Sequence, residues 1–206
     1  MICKEIKKNE LLQVVLIHKL AFKDFFLTTL GDRFLYLYYS CVLKSKKGVL
    51  LGIYDNNEIV GFCAIAYKSK GINSFLVKEN FINFSGIALL LLFTKPLTLI
   101  RLFNNFSKKA SFSKDDGNYA EVLSIATNPK FQGKGYGKAL ILATENILKS
   151  KNNIVCLSLT TDYYNNNKTI NFYKKMGFYV LSDFVTYPKR KMYRLIKTLD
   201  KNKNKS

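Results

Sequence analysis

The hydrophobic pattern of the N-terminal half changes period once. Asn9, a residue type that caps helix N-termini well, precedes Glu10-Leu11-Leu12-Gln13-Val14-Val15-Leu16-Ile17-His18-Lys19-Leu20. This run predicts a helix. A second helix is predicted from Gly31 to Lys44, with Phe34, Leu35, Leu37, Tyr38, Cys41 and Val42 at helical spacing. The pattern then becomes strand-like. Val49 to Tyr54 reads as a strand, Asp55-Asn56-Asn57 as a turn, and Glu58 to Tyr67 as a second strand. Asn and Asp tolerate the positive φ of tight turns, so the pair predicts a hairpin.

Residues 71–115 are dominated by one apolar stretch, Phe81 to Phe106, interrupted by Lys95, Pro96 and Arg101. A membrane-spanning helix needs about 20 mostly uninterrupted apolar residues. The stretch falls short and predicts two or three buried or half-buried helices, Pro96 starting one of them. Lys108 to Gly117 reads as a polar loop. Tyr119 to Thr127 is a strand, which Asn128-Pro129 breaks because Pro lacks an N–H and restrains its predecessor. A helix follows from Gly135 to about Ser150, then a strand from Asn153 to Thr160 and a short helix from Asn167 to Met176. Gly177 ends that helix. Phe178–Val185 and Lys191–Leu199 are two final strands, expected to pair antiparallel. There is no internal repeat. The reading is one domain over 1–199, with 71–115 as a helical insertion and 200–206 as a disordered basic tail.

Composition narrows the class. A chain of 206 residues with 48% hydrophobic residues holds a core, which excludes wholesale disorder. Cys3, Cys41, Cys63 and Cys156 are scattered, with no CxxC pair, so a disulfide scaffold is excluded. They read as small buried hydrophobes. His18 is the only histidine, so no metal is expected. Met1 to Glu5 lacks the apolar stretch of a signal peptide, and a cytoplasmic location is expected. The net charge of +19 suits nucleic acid, an anionic membrane surface or an anionic ligand. Only Arg33, Arg101, Arg190 and Arg194 among the 33 basic residues are Arg. Abundant Lys, Asn, Ile, Phe and Tyr are what AT-rich codons favour. Arg is the preferred residue for bidentate phosphate and base recognition, so no specific nucleic-acid partner is expected. Peripheral membrane contact and a homodimer stay open.

Between the strand ending at Thr127 and the following helix lies Gln132-Gly133-Lys134-Gly135-Tyr136-Gly137-Lys138. A glycine-rich turn before a helix aims several backbone N–H groups one way, and the helix N-terminus adds partial positive charge. Lys134 and Lys138 add more. That combination suits a pyrophosphate. The spacing fits neither a P-loop nor a dinucleotide fingerprint.

In its context of strand, Asn-Pro and helix, Gln132-x-x-Gly135-x-Gly137 resembles motif A of the GNAT superfamily of N-acetyltransferases. Downstream, Asn166 and Phe172-Tyr173-Lys174-Lys175-Met176-Gly177-Phe178 resemble that family's second hallmark, and Val60-Gly61-Phe62 resembles its third strand. The resemblance implies an α/β fold of the α+β type in three layers. Its mixed, mostly antiparallel twisted sheet has about six or seven strands, with the helical insertion between the third and fourth. It implies acetyl-CoA as cosubstrate, its pantetheine pairing with exposed backbone at Ile125, Ala126 and Thr127. The pyrophosphate is expected on the loop of Gln132, Gly133, Lys134, Gly135, Tyr136, Gly137 and Lys138, with Asn166 as a further CoA contact. Tyr173 falls on the family's general acid. A phenol suits protonation of a departing thiolate because their pKa values, ~10 and ~8.5, are not far apart.

Glu121, eleven residues before Gln132, resembles the glutamate base of histone-acetyltransferase-type members. Strand alternation places it on the face of Ile125 and Thr127. Asp162, Asp24 and His18 are alternative bases, although His18 reads first as a packing or surface residue. The expected activity is acetyl transfer to a primary amine of a small molecule, an amino sugar among the candidates, by direct attack in a ternary complex. A protein N-terminal or lysine acetyltransferase is one alternative, and a catalytically idle CoA- or membrane-binding module is the other.

Overall fold

The computed structural model describes residues 1–98, 100, 116–151 and 153–200. The expected polar loop over 108–117, apart from its last two residues, and the tail beyond Asp200 lie outside them. Strand β1 (Ile2–Glu5) leads into α1 (Leu11–Ala21), the short α2 (Phe26–Thr29) and α3 (Asp32–Lys44). The hairpin strands β2 (Gly48–Asp55) and β3 (Glu58–Ala66) follow, then α4 (Ile72–Glu79) and α5 (Phe81–Thr94). The C-terminal half comprises β4 (Ala120–Thr127), α6 (Tyr136–Lys149), β5 (Cys156–Asp162), α7 (Asn167–Lys175), β6 (Tyr179–Thr186) and β7 (Arg190–Thr198).

Seven strands form one sheet in the order β1-β2-β3-β4-β5-β7-β6. Every pair is antiparallel except β4 with β5. The β2–β3 turn is Asn56-Asn57, with φ of 48° and 65°, the mirror-image turn that matches strand twist. Both sheet faces are covered, so the central strands are apolar on both sides. On one face Leu51, Ile53, Ile65 and Val122 pack with Leu140 and Ile141 of α6. On the other, Leu50, Phe62 and Ala64 pack with Leu11 and Val14 of α1 and Leu35 and Tyr39 of α3.

Three expectations change. Asn9 does not cap α1. It lies in a 3₁₀ turn over Lys8–Glu10, and the Glu10 carboxylate accepts from the Lys7 N–H at 2.7 Å and the Tyr54 hydroxyl at 2.9 Å. Strand β5 begins at Cys156 rather than Asn153, because a turn closes first, with Ile154 N–H donating to Lys151 O at 3.2 Å. The described part of the insertion is helical, but α5 is not buried on most of its surface. Its Leu91 packs on Leu30 and Phe34, while Ile82 and Phe93 are 84% and 79% exposed. Helices α4 and α5 meet at 93°, and no single helix among the described residues is long and apolar enough to cross a membrane.

Candidate active site

Strands β4 and β5 pair for three residues and then part. The register runs Ala120↔Leu157, Glu121↔Ser158 and Val122↔Leu159 and stops, although β4 continues to Thr127 and β5 to Asp162. The gap is a cleft of about 510 Å³, reached by Ser124, Ile125, Thr127, Gln132, Asn166 and Tyr173. On the far side β4 stays paired to β3, where Asn128 N–H donates to Val60 O at 2.8 Å. Backbone groups alternate along a strand, so Ala126 also points to β3, while the N–H and C=O of Ile125 and Thr127 point into the gap. A pantetheine, which pairs like a strand, fits this edge at Ile125 and Thr127. Ala126 offers the cleft its side-chain face rather than its backbone.

The cleft ends at the glycine loop. The Asn128 side chain accepts from Lys130 N–H at 3.1 Å, and Pro129–Phe131 forms a 3₁₀ turn that delivers Gln132 to the rim. Gly133 and Gly135 have φ of 84° and 83°, and a Cβ on either would meet no atom within 4 Å. The loop is therefore an open cradle whose shape only glycine adopts without strain. The first N–H groups of α6, from Tyr136, Gly137 and Lys138, have no intrahelical acceptor, and no acidic residue occupies that turn. The Tyr136 side chain turns inward, its ring buried and its hydroxyl donating to Asp55 at 2.6 Å, so only its backbone faces the cradle. This donor set fits a pyrophosphate.

Tyr173 of α7 enters the cleft from a buried position, 7% exposed, against Phe172 and Phe178. Burial pushes its phenol up, keeping it a neutral proton donor at ordinary pH. Asn166 precedes α7. Its amide donates to Thr161 Oγ1 at 2.6 Å and to Asp162 O at 3.1 Å, tying the end of β5 to the helix.

The carboxylates are arranged differently from the expectation. A bulge at Leu123 breaks the alternation, since Ala64 pairs with Ser124 but Ile65 pairs with Val122. Val122 and Ile125 thus pack on the α6 side, whereas Leu123 and Ala126 pack on the α1–α3 side. Glu121, one residue before Val122, lies on the α1–α3 side, opposite Ile125 and Thr127. Its carboxylate accepts from the Ser69 hydroxyl and from Arg194 Nη1 at 3.0 Å. It lines a smaller hollow with Leu27, Tyr38, Leu76 and Phe84, which shares Phe26, Leu27 and Thr160 with the main cleft. Asp162 lines the cleft, with both oxygens held by Arg190 at 2.5 and 2.6 Å, and Arg190 stacks over Phe25 at 4.3 Å. Asp24 is exposed on the α1–α2 loop and is not part of the cleft lining.

His18, read first as a packing or surface residue of a helix, is buried on α1 and also reaches the cleft. It is 1% exposed. Its Nδ1 is 2.6 Å from the Tyr39 hydroxyl, and that hydroxyl donates to Ser124 Oγ at 3.1 Å. Its Nε2 is buried and has no partner among the described residues. Burial lowers its pKa to about 4. The available signal was helical spacing, because His18 and Ala21 share one stripe of α1, Phe22 follows as its C-cap, and all three reach the cleft. No cysteine lines the cleft. Cys41 and Cys63 are buried, with burial pushing their thiols up to about 11 and about 12, while Cys3 and Cys156 are only half-buried.

The family model of the Acetyltransferase (GNAT) family matches residues 15–178. The chain belongs to the GNAT acetyltransferase family. A sequence comparison with curated proteins finds no match. Solved structures with the same fold include the ribosomal-protein-S18-alanine N-acetyltransferase from Escherichia coli. It has TM-score 0.61 and 11% identity, with 100% of this chain and 97% of that one covered. An N-acetyltransferase from Staphylococcus aureus Mu50 gives TM-score 0.64 and 13% identity over 97% and 98% of the two chains. Aminoglycoside 6'-acetyltransferase type Ii gives TM-score 0.61 and 14% identity, again over 97% and 98%. Identities this low speak for the GNAT fold, and the acceptor has to be argued from the site.

Proposed function

We propose that this GNAT protein transfers the acetyl group of acetyl-CoA to the primary amine of a small molecule, with amino sugars the first class to test. The observation that carries the reading is the unpaired β4 edge at Ile125 and Thr127 running directly into the open cradle of Gly133 and Gly135. The edge binds pantetheine as an added strand would. The cradle and the α6 N-terminus bind the pyrophosphate, with Lys134 and Lys138 adding charge.

Acetyl-CoA supplies the acyl group already activated as a thioester. The amine attacks that carbonyl while both substrates are held together, so the protein's first task is alignment. Backbone N–H groups beside the Leu123 bulge polarise the carbonyl oxygen. Tyr173 donates its proton to the leaving thiolate. Acceptors enter past Phe22, Phe25, Phe26 and Leu27, an apolar wall that suits the face of a ring. The Asp162–Arg190 pair closes the other side, which favours a small acceptor over a folded protein surface.

Calorimetry with acetyl-CoA on wild type and Gly135→Glu tests the site, and thiol release with a panel of amino sugars, aminoglycosides, polyamines and short peptides tests the acceptor. Wild-type binding that is lost in the variant supports the reading. No binding by folded wild type rejects it. Turnover with peptides alone moves the acceptor assignment to proteins.

A further inference from the structure

Resting on that reading, we propose that His18 is the general base, its Nε2 taking the proton from the acceptor amine. Tyr39 has one hydroxyl proton and gives it to Ser124 Oγ. The 2.6 Å contact between His18 Nδ1 and the Tyr39 oxygen is then made by Nδ1–H, which leaves the lone pair on Nε2. That atom is buried and has no partner among the described residues, and His18 lines the cleft. A buried polar atom is normally satisfied, and one on a residue lining a binding cleft is within reach of what binds there. Ser124, the last member of the chain, sits where β4 has just left β5, next to the carbonyl-polarising bulge. The carboxylates are otherwise engaged, Glu121 with Arg194 and Ser69, Asp162 with Arg190.

In the step, the amine nitrogen bonds to the acetyl carbon and the carbon–sulfur bond breaks. The amine proton goes to His18 Nε2, and the thiolate takes the Tyr173 proton. Water then returns the proton from imidazolium to phenolate, so the sum is an amide and free CoA.

Because the chain has one histidine, ¹⁵N NMR of labelled imidazole reads His18 alone. The expected spectrum at neutral pH is the Nδ1–H tautomer with an unprotonated Nε2, and a protonated Nε2 overturns the proposal. His18→Asn keeps a donor toward Tyr39 and removes the base. It should lower kcat about 100-fold or more with the acceptor found above, leaving the acetyl-CoA Kd unchanged. Tyr39→Phe, which keeps the ring, should lower kcat less and raise the protonated-Nε2 tautomer. If wild type turns over and His18→Asn keeps more than about a tenth of kcat, the base assignment alone fails. If folded wild type acetylates no amine in the panel, the acetyltransfer reading fails and the base falls with it.

An independent observation concerns α5. Its inner stripe of Phe84, Ile87, Ala88 and Leu91 packs on Leu30 and Phe34, while Phe81, Ile82, Leu89, Leu90, Leu92 and Phe93 are exposed. We infer that this outer face docks on an anionic lipid surface. Helix α5 itself carries no charged residue, Lys95 follows it, and the chain as a whole has a net charge of +19. Arg33 lines the groove along α5. An uncharged apolar face beside Lys95 and Arg33, on a strongly basic chain, matches anionic headgroups over acyl chains. A second copy is disfavoured, because each chain carries +19.

Co-sedimentation with vesicles of phosphatidylcholine alone, and of equal phosphatidylcholine and phosphatidylglycerol, tests this. Binding to the mixed vesicles only, weakened by salt and lost in Leu89→Asp/Phe93→Asp with acetyl-CoA affinity retained, is expected. Wild type left in the supernatant overturns it. So does a lipid-free dimer that the same variant dissociates, which would make the face an interface between copies.

Discussion

The 2.6 Å contact between His18 Nδ1 and the Tyr39 hydroxyl anchors the chain's one histidine inside the fold, where burial keeps it neutral. Its other neighbours are the rings of Phe22 and Phe62, at 4.8 and 6.4 Å. An unfolded histidine titrates near the ordinary 6.5, whereas this one titrates at about 4. Protons therefore bind the unfolded chain more tightly, and the stability from keeping His18 neutral is complete above pH 6.5 and lost as pH falls toward 4. The loss is about 3 kcal/mol. Thermal unfolding between pH 7 and 4 should show Tm falling on the acid side, and His18→Asn should flatten that fall. Parallel curves for the two proteins would refute the linkage.

Glu121 and Arg194 form a largely buried pair, the side chains 15% and 12% exposed. Glu121→Gln keeps the shape and removes one buried counter-charge from the guanidinium. It should cost about 1–3 kcal/mol in urea unfolding. Turnover of the folded variant should stay within about 3-fold of wild type, because the pair braces the wall rather than moving protons. A loss of about 100-fold in kcat with normal stability would return the base assignment to Glu121.

The parts of this molecule legible in the sequence are those fixed by local rules. Asn56-Asn57 announces its turn through residues that accept positive φ, and Gly133 and Gly135 announce a loop that needs it. The exposed backbone at Ile125 and Thr127 came from the family resemblance, not from periodicity. What was hidden depends on partners far along the chain. The bulge at Leu123 carries no mark within Ala120–Thr127, yet it reverses the face of Glu121 relative to Ile125. His18 looks like any residue of an apolar helix until Tyr39 and Ser124 are brought to it. Strand β1 and the four-residue α2 are too short for a period to declare them. The apolarity of α5 predicted burial, because a sequence pattern reports hydrophobicity and not what covers it.

Arg190 holds both oxygens of Asp162 and lies on the Phe25 ring, so it joins β7, the end of β5 and the α1–α2 loop across the acceptor side. Arg190→Ala should release Phe25 and the β5 end together. Positioning is sensitive to small displacements, so the acceptor KM should rise about 10-fold or more while the acetyl-CoA Kd stays within about 2-fold. Steady-state kinetics with the acceptor varied, beside calorimetry with acetyl-CoA, separates the two effects. Equal losses of both would mean the clamp supports the whole cleft.

Gly137 separates the cradle's chemistry from its backbone strain. Gly135 has φ of 83°, so any side chain there costs about 1–2 kcal/mol, and lost binding in Gly135→Glu mixes charge with distortion. Gly137 is an ordinary helical residue, the second of α6, and a Cβ there would lie 3.6 Å from the Phe172 ring, a normal contact. A carboxylate in the first turn of α6 is favourable to the helix by about 0.3–1 kcal/mol. Gly137→Glu should therefore keep its Tm within a few degrees while acetyl-CoA affinity falls about 100-fold, because the new charge occupies the dipole that the pyrophosphate needs. Wild-type affinity in this folded variant would show that the phosphates rest elsewhere than on the α6 N-terminus.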